Sequence, residues 1–244
     1  MKAMVLAAGL GTRLRPLTND RPKALVEING RTLLEITLAR LRAVGVNEVI
    51  VNTHHFADLV AQFLRSRDFG MRIAISYEPV LLDTGGGVKN AAWFFDDSQP
   101  FILHNVDILT NIELASMVRF HREQNALAVL ATQDRITSRP LLFDRKCELC
   151  GRVVAEGKRE LARSMKEEPR PLAFNGIHVL SPSIFDLLTE DGVFSIIPAY
   201  LRLSSAGESI RCYRADEFYW RDLGRPEHLE QAAADIASGL YPGP

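Results

Sequence analysis

The sequence has no excess of either charge and no long apolar run. Its 29 Lys and Arg residues nearly balance its 30 Asp and Glu residues, which leaves a net charge of −1. We expect no nucleic acid or membrane partner, because no overall basic field exists to hold one. No apolar run approaches the roughly 20 residues that span a bilayer, and no signal sequence precedes the first strand pattern. We therefore expect a cytoplasmic protein that binds any polyanion at a local site.

Cysteine is also scarce, with three residues in 244. Cys147 and Cys150 form a CxxC pair, a pattern that occurs in zinc and redox sites, but no second Cys or His pair nearby completes four zinc ligands. An odd number of cysteines without a secretion signal also argues against a disulfide framework. We therefore expect two thiols that flank a short turn.

The order of the apolar segments predicts an α/β fold. Strand-like apolar runs alternate with segments of helical spacing, and several of these are entered through Thr, Asp or Asn. Such alternation predicts a mostly parallel central sheet with helices on both faces. The expected strands cover residues 3–7, 49–52, 73–77, 101–105 and 127–132, and the expected helices cover 33–44, 57–64, 88–94 and 114–124.

This rhythm changes after about residue 135, where shorter segments and turn-forming residues predominate. With no internal repeat and no linker, we expect a single domain over residues 1–244, made of a half of about 1–135, a smaller mixed half of about 136–225 and a C-terminal helix and tail. Beyond residue 135 we expect a hairpin around 147–151, strands at 173–180, 210–213 and 218–220, helices near 184–188, 196–205 and 226–237, and a frayed end.

At the end of the first strand pattern, the sequence changes within a few residues from apolar to small and then basic. Residues 6–18 read LAAGLGTRLRPLT, and Lys23 follows a second turn. Small residues let the backbone approach a ligand, and consecutive N–H groups of a Gly-rich turn bind phosphate oxygens. Arg13, Arg15 and Lys23 supply positive charge for a triphosphate. Neither a P-loop nor a dinucleotide fingerprint is present, and a Gly-x-Gly alone also fits an ordinary turn.

Residues 6–14, with PLT at 16–18 and PK at 22–23, resemble the signature of the sugar-1-phosphate nucleotidylyltransferases. The resemblance covers nearly the whole chain and is greatest to short single-domain uridylyltransferases that act on N-acetylmuramate 1-phosphate in cell-wall recycling. It implies a Rossmann-like nucleotide-diphospho-sugar transferase fold, with the nucleotide in the first half and the sugar and metal in the second. It also implies phosphate contacts by Arg13 and Lys23, within a nucleotide-binding loop made of Leu6, Ala7, Ala8, Gly9, Gly11, Thr12 and Arg13.

A run of glycines marks a second part of the expected nucleotide site. Glu78 is followed by LDTGGG at residues 82–87. Three adjacent glycines cost too much backbone entropy to be filler, and they allow a flat ligand to lie against the backbone, although a structural turn is the alternative. In the resembling family this segment surrounds the nucleobase, which implies base contacts by Glu78, Gly85 and Gly86.

Two acidic residues from distant parts of the sequence form the expected metal site. Asp107 follows the strand pattern at 101–105, and Asp222 follows the aromatic segment at 218–220. Carboxylates at strand ends can bind one Mg²⁺ beside phosphates, although each alone also fits a turn or a helix cap. The resemblance implies that both are ligands of a Mg²⁺ cofactor and that Asp107 is catalytic together with Arg13 and Lys23. Position 106 is Val where many relatives have Gly.

The expected sugar site lies around residues 174–177, which read FNGI and resemble the strand whose polar residue contacts the sugar. Asn175 and Gly176 are the candidates there, together with Asn105. The family's Glu-Lys-Pro segment is not cleanly present, and the EGK at 156–158 is a displaced approximation that leaves Lys158 as a further candidate. Of the histidines, the adjacent pair at 54–55 diverges on any helix or strand and cannot share one ion, and a core or turn role is expected for His104.

These features predict a nucleotidyltransferase that joins a nucleoside triphosphate to a sugar 1-phosphate and releases pyrophosphate. The expected donor is uridine triphosphate, because successive glycines expose backbone groups that can read a single ring. A mannose-1-phosphate guanylyltransferase is the first alternative, since Glu78 could accept hydrogen bonds from guanine. A non-catalytic regulator that binds nucleotide sugars is the second. We expect a monomer or a small homo-oligomer.

Overall fold

The structure, a computed structural model, describes residues 1–164, 167–241 and 243. The side chain of Glu156, the first residue of the EGK segment at 156–158, lies outside the described part. The strands are β1 (Lys2–Leu6), β2 (Glu27–Ile28), β3 (Arg31–Thr32), β4 (Glu48–Thr53), β5 (Arg72–Tyr77), β6 (Phe101–Asn105), β7 (Ile108–Thr110), β8 (Ala128–Gln133), β9 (Leu141–Phe143), β10 (Leu149–Val153), β11 (Arg159–Leu161), β12 (Arg170–Leu180), β13 (Ile210–Arg214) and β14 (Trp220–Asp222). The helices are α1 (Leu33–Ala43), α2 (Ala57–Arg65), α3 (Asp83–Asn90), α4 (Leu114–Gln124), α5 (Ile184–Leu187), α6 (Ile196–Ser205) and α7 (Pro226–Ala237).

Four of these strands, in the order β6-β1-β4-β5, form the parallel part of the main sheet. Their continuous apolar runs suit burial on both faces. In this register Leu6, the last residue of β1, lies opposite Asn52 on one side and Asn105 on the other. The carboxyl ends of three strands therefore meet at one edge, where open α/β sheets bind their ligands.

The long strand β12 connects the parallel part to the rest of the sheet. It runs antiparallel to β6, β8 and β9, and β10 and β11 extend the sheet beyond β9. Two apolar clusters cover the faces: Ala3 and Val5 belong to one, and Met4 between them belongs to the other. This arrangement confirms the predicted α/β class, with its central parallel strands, helices on both faces and a smaller mixed region.

Several predicted boundaries are wrong in detail. Helix α3 begins at Asp83 rather than at residue 88, so the three glycines lie inside the helix. The expected hairpin forms between β9 and β10, with its turn before Leu149. The chain end is not frayed at Tyr241, which is 4% exposed and packs against the ring of Tyr219 at a centroid distance of 5.4 Å. Sequence patterns missed this because a single aromatic residue in a short tail has no periodicity.

Burial lowers the pKa of three histidines, His104, His121 and His178, and the two most deeply buried of them give the fold a predictable pH dependence. The Nδ1 of His104 contacts the carbonyl of Asn105 at 2.7 Å, and the Nδ1 of His178 contacts the hydroxyl of Tyr200 at 2.8 Å. Burial, and then the charge of Arg40, lowers the pKa of His104 from 6.5 to about 4. Burial, and then His104, lowers the pKa of His178 to about 3. Both rings are therefore neutral in the folded protein at neutral pH.

We expect the free energy of unfolding to fall as the pH drops from 7 to 5. The unfolded chain takes up these protons near pH 6.5 and the folded chain does not, so each histidine contributes up to about 1.4 kcal/mol per pH unit below that value. Urea unfolding at several pH values measures this slope. The variant His178→Gln should flatten the slope, and the exposed His55→Gln should leave it unchanged. Equal slopes in His178→Gln and the parent protein would contradict the prediction.

Candidate functional site

Two cavities meet at the carboxyl edge of the sheet, and Asn105 at the end of β6 lines both. The first cavity has a volume of about 380 Å³ and the second about 690 Å³. The candidate residues that line the first are Leu6, Ala7, Ala8, Gly9, Lys23, Glu78, Asn105 and Asp107. Those that line the second are Arg13, Asn105, Asn175, Gly176 and Asp222. Most of the predicted nucleotide residues therefore line the first cavity, and the predicted sugar residues Asn175 and Gly176 line the second. Arg13 is an exception, because this predicted phosphate contact lines the second cavity.

The loop after β1 owes its shape to Gly11. This residue has a φ of +64°, and its carbonyl accepts hydrogen bonds from the hydroxyl of Thr18 and the N–H of Leu14, both at 2.9 Å. A Cβ at Gly11 would lie 3.1 Å from the Cβ of Lys23, which is a tight contact, and the positive φ also favours glycine here. Gly11 and Thr12 line neither cavity; they fold the loop so that Arg13 reaches the second cavity.

Lys23 and Asp107 form an ion pair inside the first cavity. Their side chains are only 13% and 14% exposed, so solvent screens the pair weakly. The carbonyl of Asp107 accepts the N–H of Leu223 at 2.8 Å, which fixes the backbone of Asp107 beside the segment that follows β14. A phosphate that enters this cavity therefore meets a lysine and a carboxylate whose positions are already set.

Strand pairing brings the second acid to the same place. Asp222 on β14 lies opposite Ile108 on β7. Ile108 is the residue that follows Asp107 in the sequence. One oxygen of Asp222 accepts the N–H of Gly224 at 2.7 Å. A Cβ on Gly224 would lie 2.6 Å from a terminal nitrogen of Arg13, so this arginine packs against the backbone beside Asp222. The lack of a side chain at Gly224 makes that contact possible.

The two carboxylates fit a hard divalent cation such as Mg²⁺. Asp107 immediately precedes β7, and Asp222 on β14 pairs with the first residue of β7. Each acid has one oxygen without a hydrogen-bond partner among the described residues. Within the same ranges there is no cluster of three or more His, Cys, Asp or Glu side chains that could hold a metal. A cation here would complete its coordination with waters and substrate phosphates, as Mg²⁺ commonly does.

Asn52, which the sequence analysis missed, connects the loop after β1 to the segment after β5. Its Oδ1 accepts the N–H of Ala7 at 2.6 Å, and its Nδ2 donates to Oε1 of Glu78 at 2.7 Å. The other oxygen of Glu78 accepts the N–H of Leu82 at 3.0 Å. Asn52 is 3% exposed and Glu78 is fully buried, although both line the first cavity. We call this chain of hydrogen bonds from Ala7 through Asn52 to Glu78 the relay. It fixes two walls of that cavity relative to each other.

The glycines of α3 are close-packed rather than open to a ligand. The N–H groups of Gly85 and Gly86 donate to the carbonyl of Phe194 at 2.9 and 3.1 Å. A Cβ on Gly85 would lie 2.3 Å from the ring of Phe194, and one on Gly86 would lie 2.4 Å from the carbonyl of Gly192. Neither glycine lines the first cavity, so their predicted base contacts would need a change in this packing. A Cβ on Gly87 would lie 2.7 Å from Oε1 of Glu78, so this glycine packs directly against the relay.

The second cavity has a buried polar wall. Asn175 is fully buried, and its Nδ2 has no hydrogen-bond partner among the described residues. The guanidinium of Arg135 stacks on the ring of Trp220 at 3.6 Å and donates to the carbonyl of Phe174 at 3.0 Å. The Nε of Arg135 likewise has no described partner. Arg135 was not anticipated, because one arginine in a loop gives no sequence signal.

Lys158 is exposed and lines neither cavity. Its N–H donates to the carbonyl of Ala155 at 3.3 Å, which closes a short turn between β10 and β11. The histidine pair also has no site geometry: His55 is exposed, and the ring of His54 contacts the carbonyl of Glu78 at 2.8 Å. Lys158 as a sugar-binding residue therefore stays a prediction.

A model of the nucleotidyl transferase family matches residues 2–239. The chain belongs to this family. It is 37% identical over 243 residues to N-acetylmuramate alpha-1-phosphate uridylyltransferase of Caulobacter vibrioides, with 96% of each chain covered. It is 28% identical to mannose-1-phosphate guanylyltransferase catalytic subunit beta of Dictyostelium discoideum, over 98% of this chain and 64% of that one. The crystal structure of HddC from Yersinia pseudotuberculosis has a TM-score of 0.76 at 23% identity, with 96% of this chain and 99% of that chain covered.

These comparisons confirm the resemblance found in the sequence. The chain is a sugar-1-phosphate nucleotidyltransferase, an enzyme of nucleotide-sugar biosynthesis, and the fold is the one its relatives share. Within the described ranges, no helix has the length and apolarity needed to cross a membrane.

Proposed function

We propose that this enzyme joins uridine triphosphate to N-acetylmuramate 1-phosphate, using Mg²⁺, and releases pyrophosphate. The 37% identical relative that covers 96% of the chain is named for this reaction. The single structural observation that carries the proposal is the meeting of two cavities at Asn105, with Asp107 lining the first cavity and Asp222 lining the second. The triphosphate occupies the first cavity, the sugar phosphate occupies the second, and the reacting phosphates meet between Asp107 and Asp222.

The reaction is attack by a phosphate oxygen of the acceptor on the α-phosphorus of the donor. A phosphate monoester has a second pKa near ~6 and is mostly a dianion at neutral pH, so no general base is needed. The main obstacle is repulsion between anions, about 4 kcal/mol for each pair of unit charges 4 Å apart at an effective dielectric constant of 20. Lys23 in the first cavity and Arg13 in the second offset this repulsion from both sides.

Asp107 and Asp222 would hold Mg²⁺, which when bound supplies further positive charge to the phosphates. The chain itself orients these ligands. Lys23 holds Asp107, the N–H of Gly224 holds Asp222, and the pairing of β7 with β14 fixes the spacing of the two acids. Such prior positioning lets the site stabilise the transition state without rearrangement.

The charge of the second cavity supports an acidic acceptor. Four arginines and one carboxylate line it: Arg13, Arg135, Arg221, Arg225 and Asp222. N-acetylmuramate carries a lactyl carboxylate that N-acetylglucosamine lacks. Arg135 and Asn175 line the same cavity, and each also has a buried donor without a partner among the described residues. A guanidinium and an amide N–H suit a group that only accepts hydrogen bonds. We propose that Arg135 binds the lactyl carboxylate.

The engagement of Glu78 supports a uridine donor. Guanine requires an acceptor for its ring N–H and amino group. Three carboxylates line the first cavity, those of Glu78, Asp83 and Asp107. Both oxygens of Glu78 already accept hydrogen bonds, from Asn52 and from Leu82. Each oxygen keeps a further lone pair, but Glu78 is fully buried, so a guanine could use this carboxylate only after the contacts that bury it had opened.

Replacing Arg135 with Gln should reduce selectivity for the acidic acceptor. We expect kcat/KM for N-acetylmuramate 1-phosphate to fall about 10-fold to 100-fold, because a charge-assisted hydrogen bond contributes roughly 1.5–3 kcal/mol. The value for N-acetylglucosamine 1-phosphate should change little. Pyrophosphate release with uridine triphosphate measures both, and Arg119→Gln on the exposed face of α4 is the matched control. An equal loss with both acceptors would show that Arg135 does not read the carboxylate.

The same assay tests the donor and acceptor together. Uridine and guanosine triphosphates are each supplied with N-acetylmuramate, N-acetylglucosamine or mannose 1-phosphate. The proposal predicts the highest kcat/KM for the uridine and muramate combination. A preference for guanosine triphosphate with mannose 1-phosphate would assign the alternative activity, and binding without turnover in every combination would assign a regulator.

A further inference from the structure

The three thiols are not arranged as the CxxC spacing suggests. The Sγ of Cys150 donates to the carbonyl of Leu142 at 3.0 Å, and burial raises the pKa of this thiol to about 12. The thiol of Cys150 on β10 is therefore held in a hydrogen bond and is poorly nucleophilic at neutral pH. Cys147 lies in the turn before β10 and lines one cavity together with a different cysteine, Cys212 on β13.

Cys147 and Cys212 are directly opposed across an antiparallel bridge. Glu148 pairs with Arg211 in this bridge, which makes the two cysteines the next opposed pair. The N–H of Cys212 donates to the carbonyl of Cys147 at 2.8 Å. Opposed residues that share such a bond have Cα atoms about 5.5 Å apart, inside the range of about 4.4–6.8 Å that disulfides require. The backbone therefore brings the two cysteines within the Cα separation that a disulfide can span.

One thiol of the pair is accessible and the other is protected. Cys147 is partly exposed, Cys212 is 2% exposed, and both line a cavity of about 380 Å³. The hydrogen bond from Cys212, followed by the charges of Arg214 and Arg211, lowers the pKa of Cys147 to about 6. Cys147 also has a φ of +62°, in the left-handed region that favours glycine or asparagine, so turn geometry alone does not explain a cysteine here.

We propose that Cys147 and Cys212 form a thiol–disulfide exchange site for low-molecular-weight disulfides of the glutathione class. The Cys147 thiolate attacks one sulfur of the small disulfide, the S–S bond breaks, and the departing thiolate takes a proton from solvent. Conversion of Cys147 to the mixed disulfide removes the neighbouring thiolate, which is the main cause that raises the pKa of Cys212. Cys212 then gives up its proton to solvent and attacks the Cys147 sulfur, which expels the second small thiol. Two protein thiols and one small disulfide become one protein disulfide and two small thiols. This site is independent of the transferase reaction.

The test exposes the full-length protein to oxidised glutathione at pH 7.5 and counts free thiols after denaturation. We expect the count to fall from three to one, with Cys150 as the remaining thiol. Peptide mapping should find Cys147 joined to Cys212, and dithiothreitol should restore all three thiols. In the variant Cys212→Ser, one glutathione should stay attached to Cys147, because no second thiol is positioned to expel it. Cys150→Ser is the matched control and should still form the disulfide.

Three results would overturn the inference. They are three thiols that remain free after treatment, a disulfide between Cys147 and Cys150, and a parent protein that retains glutathione on Cys147 without closing the bond. The Cys212→Ser variant keeps the test informative if closure is slow, since failure of Cys147 to accept glutathione there would show that this thiol does not undergo exchange.

Discussion

Replacing Asp222 with Asn should lower kcat by at least about 100-fold without unfolding the protein. An amide is a poor ligand for a hard cation, and a lost electrostatic contact to a developing charge costs roughly 2.7–4 kcal/mol. The Oδ1 of Asn can still accept the N–H of Gly224, so the backbone around β14 should stay in place. Pyrophosphate release measures the loss, and thermal unfolding checks the fold. Asp107→Asn should lose at least as much, because Lys23 then has no charged partner.

Glu217→Gln is the matched control. Glu217 is an exposed carboxylate near β14 that lines neither cavity, so this variant should have the activity of the parent enzyme. Raising the Mg²⁺ concentration should recover part of the activity of Asp222→Asn, since one of the two ligands remains. Full activity in Asp107→Asn or Asp222→Asn would remove that residue from the metal site.

Replacing Asn52 with Leu should destabilise the protein by about 3–5 kcal/mol. The change removes the donor to Glu78 and the acceptor for Ala7, so a fully buried carboxylate and a buried N–H lose their partners. If the variant folds, its KM for the triphosphate should rise, because the two walls of the first cavity are no longer tied. Urea unfolding measures the first effect and initial rates measure the second.

A double-mutant cycle isolates the pair. Glu78→Gln removes the charge, so the double variant with Asn52→Leu should be much less unstable than the sum of the two single changes. Leu59→Asn on the exposed face of α2 controls for the exchange of these side chains at a site without the relay. Strict additivity of the two changes would show that the bond between Asn52 and Glu78 carries no coupling.

Much of the site could be predicted because its signals are local in sequence. The change from apolar to small to basic residues after β1 marks a phosphate loop on physical grounds, and acids that follow strand patterns mark a sheet edge. Asp107 and Asp222 could be linked only through the family resemblance, and the structure now gives the reason, which is the antiparallel pairing of β7 with β14. The sequence predicted a strand at 218–220, beginning two residues before β14, and none at β7, so this pairing could not be anticipated.

The residues that were missed depend on register between distant segments. Asn52 becomes important only because β4 lies beside β1 with Asn52 opposite Leu6. A polar residue at the end of a buried strand was the available signal. Arg135 acquires its position from Trp220 on β14, and Cys147 acquires its partner from β13 rather than from the nearby Cys150. No spacing rule reaches across such separations.

The glycine run shows how one pattern can have two physical causes. Close approach of a ligand and close approach of another part of the chain both require a missing side chain. Gly85 and Gly86 face Phe194 and Gly192, more than 100 residues later, and the sequence alone cannot distinguish that contact from a nucleobase.

The most direct test of the proposed reaction follows the α-phosphorus of the donor. Uridine triphosphate labelled with ³²P at that position is incubated with the enzyme, Mg²⁺ and N-acetylmuramate 1-phosphate, and the products are separated. The account predicts that all transferred label appears in the nucleotide sugar, that unlabelled pyrophosphate forms in equal amount, and that nothing is released without the acceptor. Label in free uridine monophosphate regardless of acceptor, or label in pyrophosphate, would contradict transfer of the nucleotidyl group to the sugar phosphate.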